Sequence, residues 1–199
     1  MQMQRSVERS VRLTEKPNIN KQRKKLDLKS RVRRIPQFKG VVFWDITPLL
    51  NDKDSLHECV KQLAGHFRGE RVDLVVSSEA RGFIIGAAVA YELGAGFIPI
   101  RKKGKLPFKC VDLTYTKEYE SDTIEIHEDA IESGKRILII DDLLATGGTM
   151  KANIELVEKL GGDVVGLGFL IELCYLEGRK LMGDRYNLYS LIQLQTTNG

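Results

Sequence analysis

The run from Ile137 to Met150, ILIIDDLLATGGTM, constrains the fold of this chain more than any other stretch. It opens with four branched apolar residues, the composition of a strand that is buried on both faces of a parallel sheet. Asp141 and Asp142 come next, at the carboxyl end of that strand, where open α/β sheets bind their ligands. A loop of small residues then leads into a helix. This order predicts an α/β domain with a ligand site at the strand end.

The loop after the two aspartates has the composition of a phosphate site. It combines accessible backbone N–H groups with two hydroxyls, in the residues Ala145, Thr146, Gly147, Gly148 and Thr149. The first N–H groups of a helix have no partner within the helix, so its N-terminus favours anions. No Gly-Lys-Ser/Thr sequence follows, which excludes a Walker loop. The segment therefore predicts a cradle for a phosphorylated sugar.

The wording DDLLATGGT resembles the phosphoribosyl pyrophosphate (PRPP) motif of type I phosphoribosyltransferases, and in particular of the adenine phosphoribosyltransferase family. The resemblance implies that Asp141 and Asp142 hold the ribose hydroxyls and that residues 145–149 hold the 5-phosphate. It also implies the fold, a mainly parallel doubly wound sheet with a small N-terminal hood and a mobile hairpin loop. The alternation of strand and helix patterns along the chain favours the same α/β sheet.

Two further segments resemble the part of the family's site that binds pyrophosphate. SSEARGF, residues 77–83, follows a predicted strand and opens an apolar helix, and RKKGKLP, residues 101–107, leaves the next strand. The arginine fork suits phosphate oxygens better than a point charge does. The resemblance implies that the pyrophosphate is bound by Glu79, Ala80, Arg81, Arg101 and Lys105.

YTKEY, residues 115–119, resembles the family's mobile catalytic loop. The resemblance implies that Glu118 manages the purine proton and that Tyr119 helps to close the loop over the pyrophosphate. It gives Asp142 and Arg81 the other catalytic roles. The family commonly has glycine at the position of Glu120.

GVVFWDITP, residues 40–48, resembles the family's base-binding hood. The resemblance implies an adenine site made by Val42, Phe43, Trp44 and Leu143, with the ring held between Phe43 and Leu143. Backbone groups, here those of Val42, distinguish a 6-amino from a 6-oxo purine, because the donor and acceptor pattern inverts between them. Trp44 stands where relatives often have arginine, and the approach at Lys39 and Gly40 is shorter than usual.

The resemblance extends from about Leu26 to Gln195 and implies purine salvage, in which adenine and PRPP give AMP and pyrophosphate. Mg²⁺ is expected as a cofactor held mainly through PRPP, without a protein ligand set of its own, and a homodimer is expected. Two alternatives stay open. A hypoxanthine or guanine enzyme would usually have Glu-Asp at the carboxylate pair, and a PRPP-sensing regulator would keep the fold without catalysis.

Positive charge is concentrated at the N-terminus. Residues 1–40 hold 13 Lys or Arg against 3 acids, a net charge of +10, while the rest of the chain has a net charge of −6. We predict a basic, disordered extension over residues 1–25 and a single domain over 26–199, with the hood at 26–50 and the core at 51–199. About 35 residues are too few for a separate winged-helix domain, so no nucleic-acid partner is expected.

Cys59, Cys110 and Cys174 are widely spaced and show no disulfide or zinc pattern, which favours a reducing compartment. No apolar run approaches the ~20 residues of a membrane span, and the start has no signal-peptide core. Glu8 and Glu15 argue against a mitochondrial transit peptide. The sequence therefore predicts a cytoplasmic protein without a membrane partner.

Overall fold

The structure, a computed structural model, describes residues 26–116 and 121–198. The strands are β1 (Arg33–Phe38), β2 (Val41–Asp45), β3 (Leu74–Ser78), β4 (Gly96–Lys102), β5 (Cys110–Thr116), β6 (Ser121–His127), β7 (Arg136–Leu144), β8 (Asp163–Leu173) and β9 (Leu188–Leu194). The α-helices are α1 (Thr47–Asn51), α2 (Lys53–Phe67), α3 (Arg81–Leu93), α4 (Gly148–Lys159) and α5 (Gly178–Met182). The predicted N-terminal extension lies outside the described residues.

The main sheet has seven strands in the order β5-β6-β4-β3-β7-β8-β9. Five neighbouring strands of this sheet are parallel, in the order β4-β3-β7-β8-β9. The hairpin of β5 and β6 is added at the β4 edge, where β6 pairs with β4 in the antiparallel direction. From β3 the chain continues to β4 on one side, whereas β7 lies on the other side. The strand order thus reverses between β3 and β7, and open α/β sheets bind ligands at such a point. The predicted mainly parallel α/β fold is confirmed.

The central strand β7 is buried on both faces, as its apolar composition predicts. Ile137, Leu138, Ile139 and Ile140 have no exposed surface. Leu138 and Ile140 belong to one core cluster with residues of α2 and α3, while Ile137 and Ile139 belong to a second with residues of α4. Side chains alternate between the faces of a strand, so consecutive residues fill both cores.

β7 is longer than the four apolar residues predict. Asp141 and Asp142 lie within it, because β8 continues beside it and pairs Asp141 with Phe169 and Leu144 with Glu172. The carboxylates are therefore held by a paired strand.

The hood is a separate two-stranded antiparallel sheet of β1 and β2. Trp44 and Ile46 join it to the core formed with α1 and α2. Within the described ranges, no helix has both the length and the apolar character needed to cross a bilayer.

Candidate active site

A cavity of about 250 Å³ opens at the carboxyl ends of β3 and β7. Its walls come from residues 78–81, 100–102 and 141–150, together with Tyr115, Asp122 and Ile124 of the β5–β6 hairpin. Three segments that the sequence assigned to one site therefore meet around one cavity. Among the described residues of that assignment, Val42, Phe43, Trp44 and Lys105 are not part of its wall.

Asp141 and Asp142 form an enclosed acidic pair. The backbone N–H of Asp142 donates to Asp141 Oδ1 over 2.9 Å, and Asp142 Oδ2 lies 2.9 Å from Arg81 Nε. Burial, and then the neighbouring charge of Asp142, raise the pKa of Asp141 well above its ordinary value. Burial also raises the pKa of Asp142, although Arg81 opposes the shift. The pair thus favours partners that bring hydrogen-bond donors or positive charge.

The predicted phosphate loop, residues 145–149, also lines the cavity. Gly147 has a φ of +89°, a conformation that side chains rarely adopt, and α4 begins at Gly148. The first N–H groups of this twelve-residue helix are therefore available to an anion. Tyr115 Oη lies 3.2 Å from Thr149 Oγ1, which connects the β5–β6 hairpin to the loop.

The short helix α5 packs against this loop, a contact that the sequence analysis did not predict. A Cβ atom at Gly178 would lie only 2.1 Å from the carbonyl oxygen of Ala145. The next residue, Arg179, binds Glu172 of β8 through two hydrogen bonds, Nε to Oε1 at 2.9 Å and Nη2 to Oε2 at 2.6 Å. Glu172 is buried, so this bidentate pair fixes the start of α5 to the sheet. The segment EGRKL, residues 177–181, contains both Gly178 and Arg179 and is the sequence signal from which this contact could have been predicted.

Replacing Gly178 by alanine should displace the phosphate loop, because the new methyl group cannot share space with the Ala145 carbonyl oxygen. We expect affinity for ribose 5-phosphate to fall on the order of 100-fold, the effect of a misplacement of about 1 Å, and affinity for pyrophosphate to stay unchanged. Isothermal titration of each ligand measures both. Gly65→Ala is the control, since nothing lies within 4 Å of that position. Equal losses for both ligands would contradict a local role of Gly178.

The predicted pyrophosphate segment places an acid among its cations. Glu79 Oε2 lies 2.7 Å from Arg101 Nε, and Glu79 Oε1 lies 3.5 Å from Lys105 Nζ. Burial opposes ionisation of Glu79, but the hydrogen bond from Arg101 and the charge of Lys105 outweigh it, and the pKa of Glu79 is lowered. Glu79 thus holds Arg101 and Lys105 together at the edge of the cavity.

Arg81 lines the same cavity, and its side chain lies against the hood and the carboxylate pair. Its guanidinium carbon is 5.0 Å from the centroid of the Phe43 ring, and its Nε faces Asp142. Arg81 thereby connects the hood to the carboxylate pair. A contact between Arg81 and pyrophosphate stays a prediction.

The hood residues differ in their surroundings. Phe43 packs against Phe38 with 5.0 Å between ring centroids and lies against Arg81, a residue of the cavity wall. Trp44 is only 6% exposed and belongs to the core. Neighbouring residues of a strand point to opposite faces, so the Phe43 and Trp44 side chains cannot both face the base. The Trp44 indole is a core residue in this arrangement, and its role toward adenine stays a prediction.

Glu118 and Tyr119 lie outside the described residues, between Thr116 at the end of β5 and Ser121 at the start of β6. Their predicted roles are untested by the geometry. Across residues 26–116 and 121–198, no three His, Cys, Asp or Glu side chains come together in a way that could hold a metal ion.

Comparison with known proteins agrees with this geometry. The family profile described as "Phosphoribosyl transferase domain" matches residues 47–198. The adenine phosphoribosyltransferase of Acidobacterium capsulatum is 53% identical over 167 residues, which cover 83% of this chain and 92% of that protein.

Solved structures give the same result. The adenine phosphoribosyltransferase of Thermoanaerobacter pseudethanolicus has a TM-score of 0.81 and 47% identity, covering 84% of this chain and 98% of its own. The Saccharomyces cerevisiae enzyme, complexed with an imino-altritol bisphosphate and adenine, has a TM-score of 0.77 and 36% identity, covering 82% and 96%. The family predicted from the motifs is confirmed: this chain belongs to the adenine phosphoribosyltransferase family.

Proposed function

We propose that the chain transfers the 5-phosphoribosyl group of PRPP to adenine in the cavity between β3 and β7, giving AMP and pyrophosphate. One observation carries the proposal: a single cavity is lined by the loop 145–149, the pair Asp141 and Asp142, and the segment 79–81 with Arg101. PRPP presents a phosphate, two ribose hydroxyls and a pyrophosphate. The helix N-terminus at the loop 145–149 suits the phosphate, the two carboxylates suit the hydroxyls, and the segment 79–81 with Arg101 suits the pyrophosphate.

The chemistry is displacement at the anomeric carbon, with positive charge developing on the sugar. Asp141 and Asp142 hold the ribose hydroxyls and stabilise that charge, since fixed charges in an enclosed site need no reorganisation during reaction. Arg101 and Lys105, already gathered by Glu79, stabilise the departing pyrophosphate. Glu118 manages the purine proton.

The residues of this site are chemically suited to Mg²⁺ that binds together with PRPP. The support is the acidic pair, where burial and mutual repulsion raise the pKa of Asp141, so a nearby cation would be stabilised. Magnesium usually binds substrate phosphates with one or two carboxylates. When bound, it would neutralise the negative charge that develops on the departing pyrophosphate. Asp141 and Asp142 are the described residues that would face it.

Adenine is the proposed base because the hood carries an aromatic ring at the site and the carboxylate pair is Asp-Asp. Phe43 of β2 packs against Arg81, which lines the cavity, and Leu143 lines the cavity from β7. The yeast relative was solved with adenine, which supports the same base here. A 6-oxo purine would leave the donors and acceptors of the hood backbone unpaired.

Phe43→Ala should raise the KM for adenine roughly 10-fold, because aromatic stacking on a base contributes about 1–3 kcal/mol. The KM for PRPP should change little. Steady-state kinetics with each substrate varied separately measures the two constants. Phe108→Ala is the matched control, since Phe108 is exposed and packs on His127, which is not a residue of the cavity wall. An unchanged KM for adenine would remove Phe43 from the base site.

A homodimer is proposed on the evidence of α3. Ile84 is 48% exposed and Tyr91 is 88% exposed, and their spacing of seven residues places them on one helix face. A second copy would cover this apolar face. Sedimentation of the wild type and of Tyr91→Glu tests it, with a shift to monomer expected for the variant.

A cytoplasmic location is proposed because Cys59, Cys110 and Cys174 all remain free thiols. A reducing compartment keeps thiols in this state. Fluorescence microscopy of a tagged full-length chain tests the location.

The proposed reaction is tested by mixing the purified protein, PRPP and Mg²⁺ with adenine, hypoxanthine or guanine in turn. AMP from adenine alone is the expected result. A comparable rate with hypoxanthine or guanine would favour the other-base enzyme. Tight PRPP binding without turnover on any base would favour the PRPP-sensing regulator.

A further inference from the structure

A buried amide lies where α4 packs against the sheet. Asn153 has no exposed surface, and it follows Met150 by three residues and precedes Val157 by four, so it shares their buried stripe. Its Nδ2 donates to Ser78 Oγ over 2.6 Å, while its Oδ1 has no hydrogen-bond partner within the described structure. A buried polar atom without a partner lowers stability. An apolar residue would pack in this stripe at lower cost, so a reason beyond packing is needed.

The two residues of this hydrogen bond lie next to the predicted binding sites of two different parts of PRPP. Asn153 lies in the helix that follows the loop 145–149, and Ser78 is the last residue of β3, directly before Glu79. Ser78 is buried, and the N–H of Glu79 bonds to the Ile100 carbonyl, so this end of β3 is fixed. The hydrogen bond therefore connects α4, which follows the 5-phosphate wall (residues 145–149), to the end of β3, which precedes the pyrophosphate wall (residues 79–81 with Arg101).

We propose that Asn153 and Ser78 are a positioning pair that sets the spacing between the 5-phosphate wall and the pyrophosphate wall. The proposal rests on the function proposed above. PRPP connects its two anionic ends covalently, so it binds well only when both walls are correctly spaced. A ligand that contacts one wall does not sense the spacing. The pair thus favours the intact substrate over its separate halves, which is preorganisation.

The test compares the wild type with the double variant Ser78→Ala, Asn153→Leu by isothermal titration, with Mg²⁺ and without adenine. The probes are ribose 5-phosphate, pyrophosphate and PRPP. Affinity for the two halves should be unchanged, while PRPP should bind roughly 10- to 100-fold more weakly. Thermal stability should not fall, because removing both partners of a buried hydrogen bond together can be neutral. Loss of a merely structural hydrogen bond would not weaken the binding of PRPP while leaving the affinities for ribose 5-phosphate and pyrophosphate unchanged.

Asn153→Leu alone removes the same bond without changing a residue of the cavity wall, and we expect the same selective loss of PRPP affinity. Ile154→Val, which alters the packing of α4 without touching Ser78, is the control and should leave all three affinities unchanged. Equal weakening of the three ligands, or unchanged PRPP affinity in a folded variant, overturns the positioning role alone. Failure of the wild type to bind PRPP overturns the proposed function, and the positioning role with it.

Discussion

Replacing Glu118 by alanine should lower kcat by about 10²- to 10⁴-fold, the usual contribution of a positioned general acid or base. The attacking purine nitrogen must lose or relay a proton, and no other carboxylate is assigned to the base side of the site. In the proposed site PRPP is held by the loop 145–149, the aspartate pair and the cations around Glu79, none of which the substitution changes. Its affinity should therefore change far less than turnover.

Single-turnover kinetics at saturating PRPP, together with titration of PRPP, separates these two quantities. Glu120→Ala is the matched control, because it removes a carboxylate from the same connection between β5 and β6 and should leave kcat unchanged. Equal losses of turnover and PRPP affinity would show that Glu118 serves binding instead of proton transfer.

Asp141→Asn should lower kcat/KM by about 10²- to 10³-fold, as expected when one preorganised electrostatic group is removed. The amide keeps the shape of the side chain but removes a negative charge beside the developing positive charge of the sugar. Steady-state kinetics with PRPP as the varied substrate measures the loss. Asp129→Asn, at a turn away from the cavity wall, is the control and should behave as the wild type.

The same substitution should stabilise the folded protein at neutral pH. Because the pKa of Asp141 is raised on folding, the folded state binds its proton more tightly than the unfolded state. The stability that this proton provides is present at acid pH and is lost as the pH rises through the raised pKa. Asparagine does not titrate, so the variant avoids that loss.

The difference in the free energy of unfolding between Asp141→Asn and the wild type should therefore grow from pH 5 to pH 8. The variant should therefore have the higher free energy of unfolding at pH 8. Urea unfolding at several pH values provides the measurement. A difference that stays constant with pH would mean that Asp141 is not held with a raised pKa.

Much of the site follows from the order of local signals. The apolar run before Asp141, the small loop and the helix pattern of α4 each indicate one element, and the topology of a parallel sheet brings their strand ends together. The same reasoning placed segments 77–83 and 101–107 beside the first one. All three contribute to one cavity.

Side-chain directions and long-range partners could not be predicted in this way. Strand patterns do not show that Arg81 turns toward Asp142 and Phe43, or that Trp44 faces the core. The bond between Ser78 and Asn153 joins residues 75 positions apart in sequence, and a buried Asn in a helix pattern carries no sign of its partner. The Glu172–Arg179 pair is similarly a product of packing between β8 and α5.

A crystal structure with PRPP and Mg²⁺ in the absence of adenine tests the central claim most directly. We predict the 5-phosphate on the N–H groups of residues 145–149 and the ribose hydroxyls on Asp141 and Asp142. The pyrophosphate should lie between the backbone at Glu79 and Ala80 and the side chains of Arg101 and Lys105. A pyrophosphate bound in the loop 145–149, or a ribose away from the two aspartates, would contradict the proposed site.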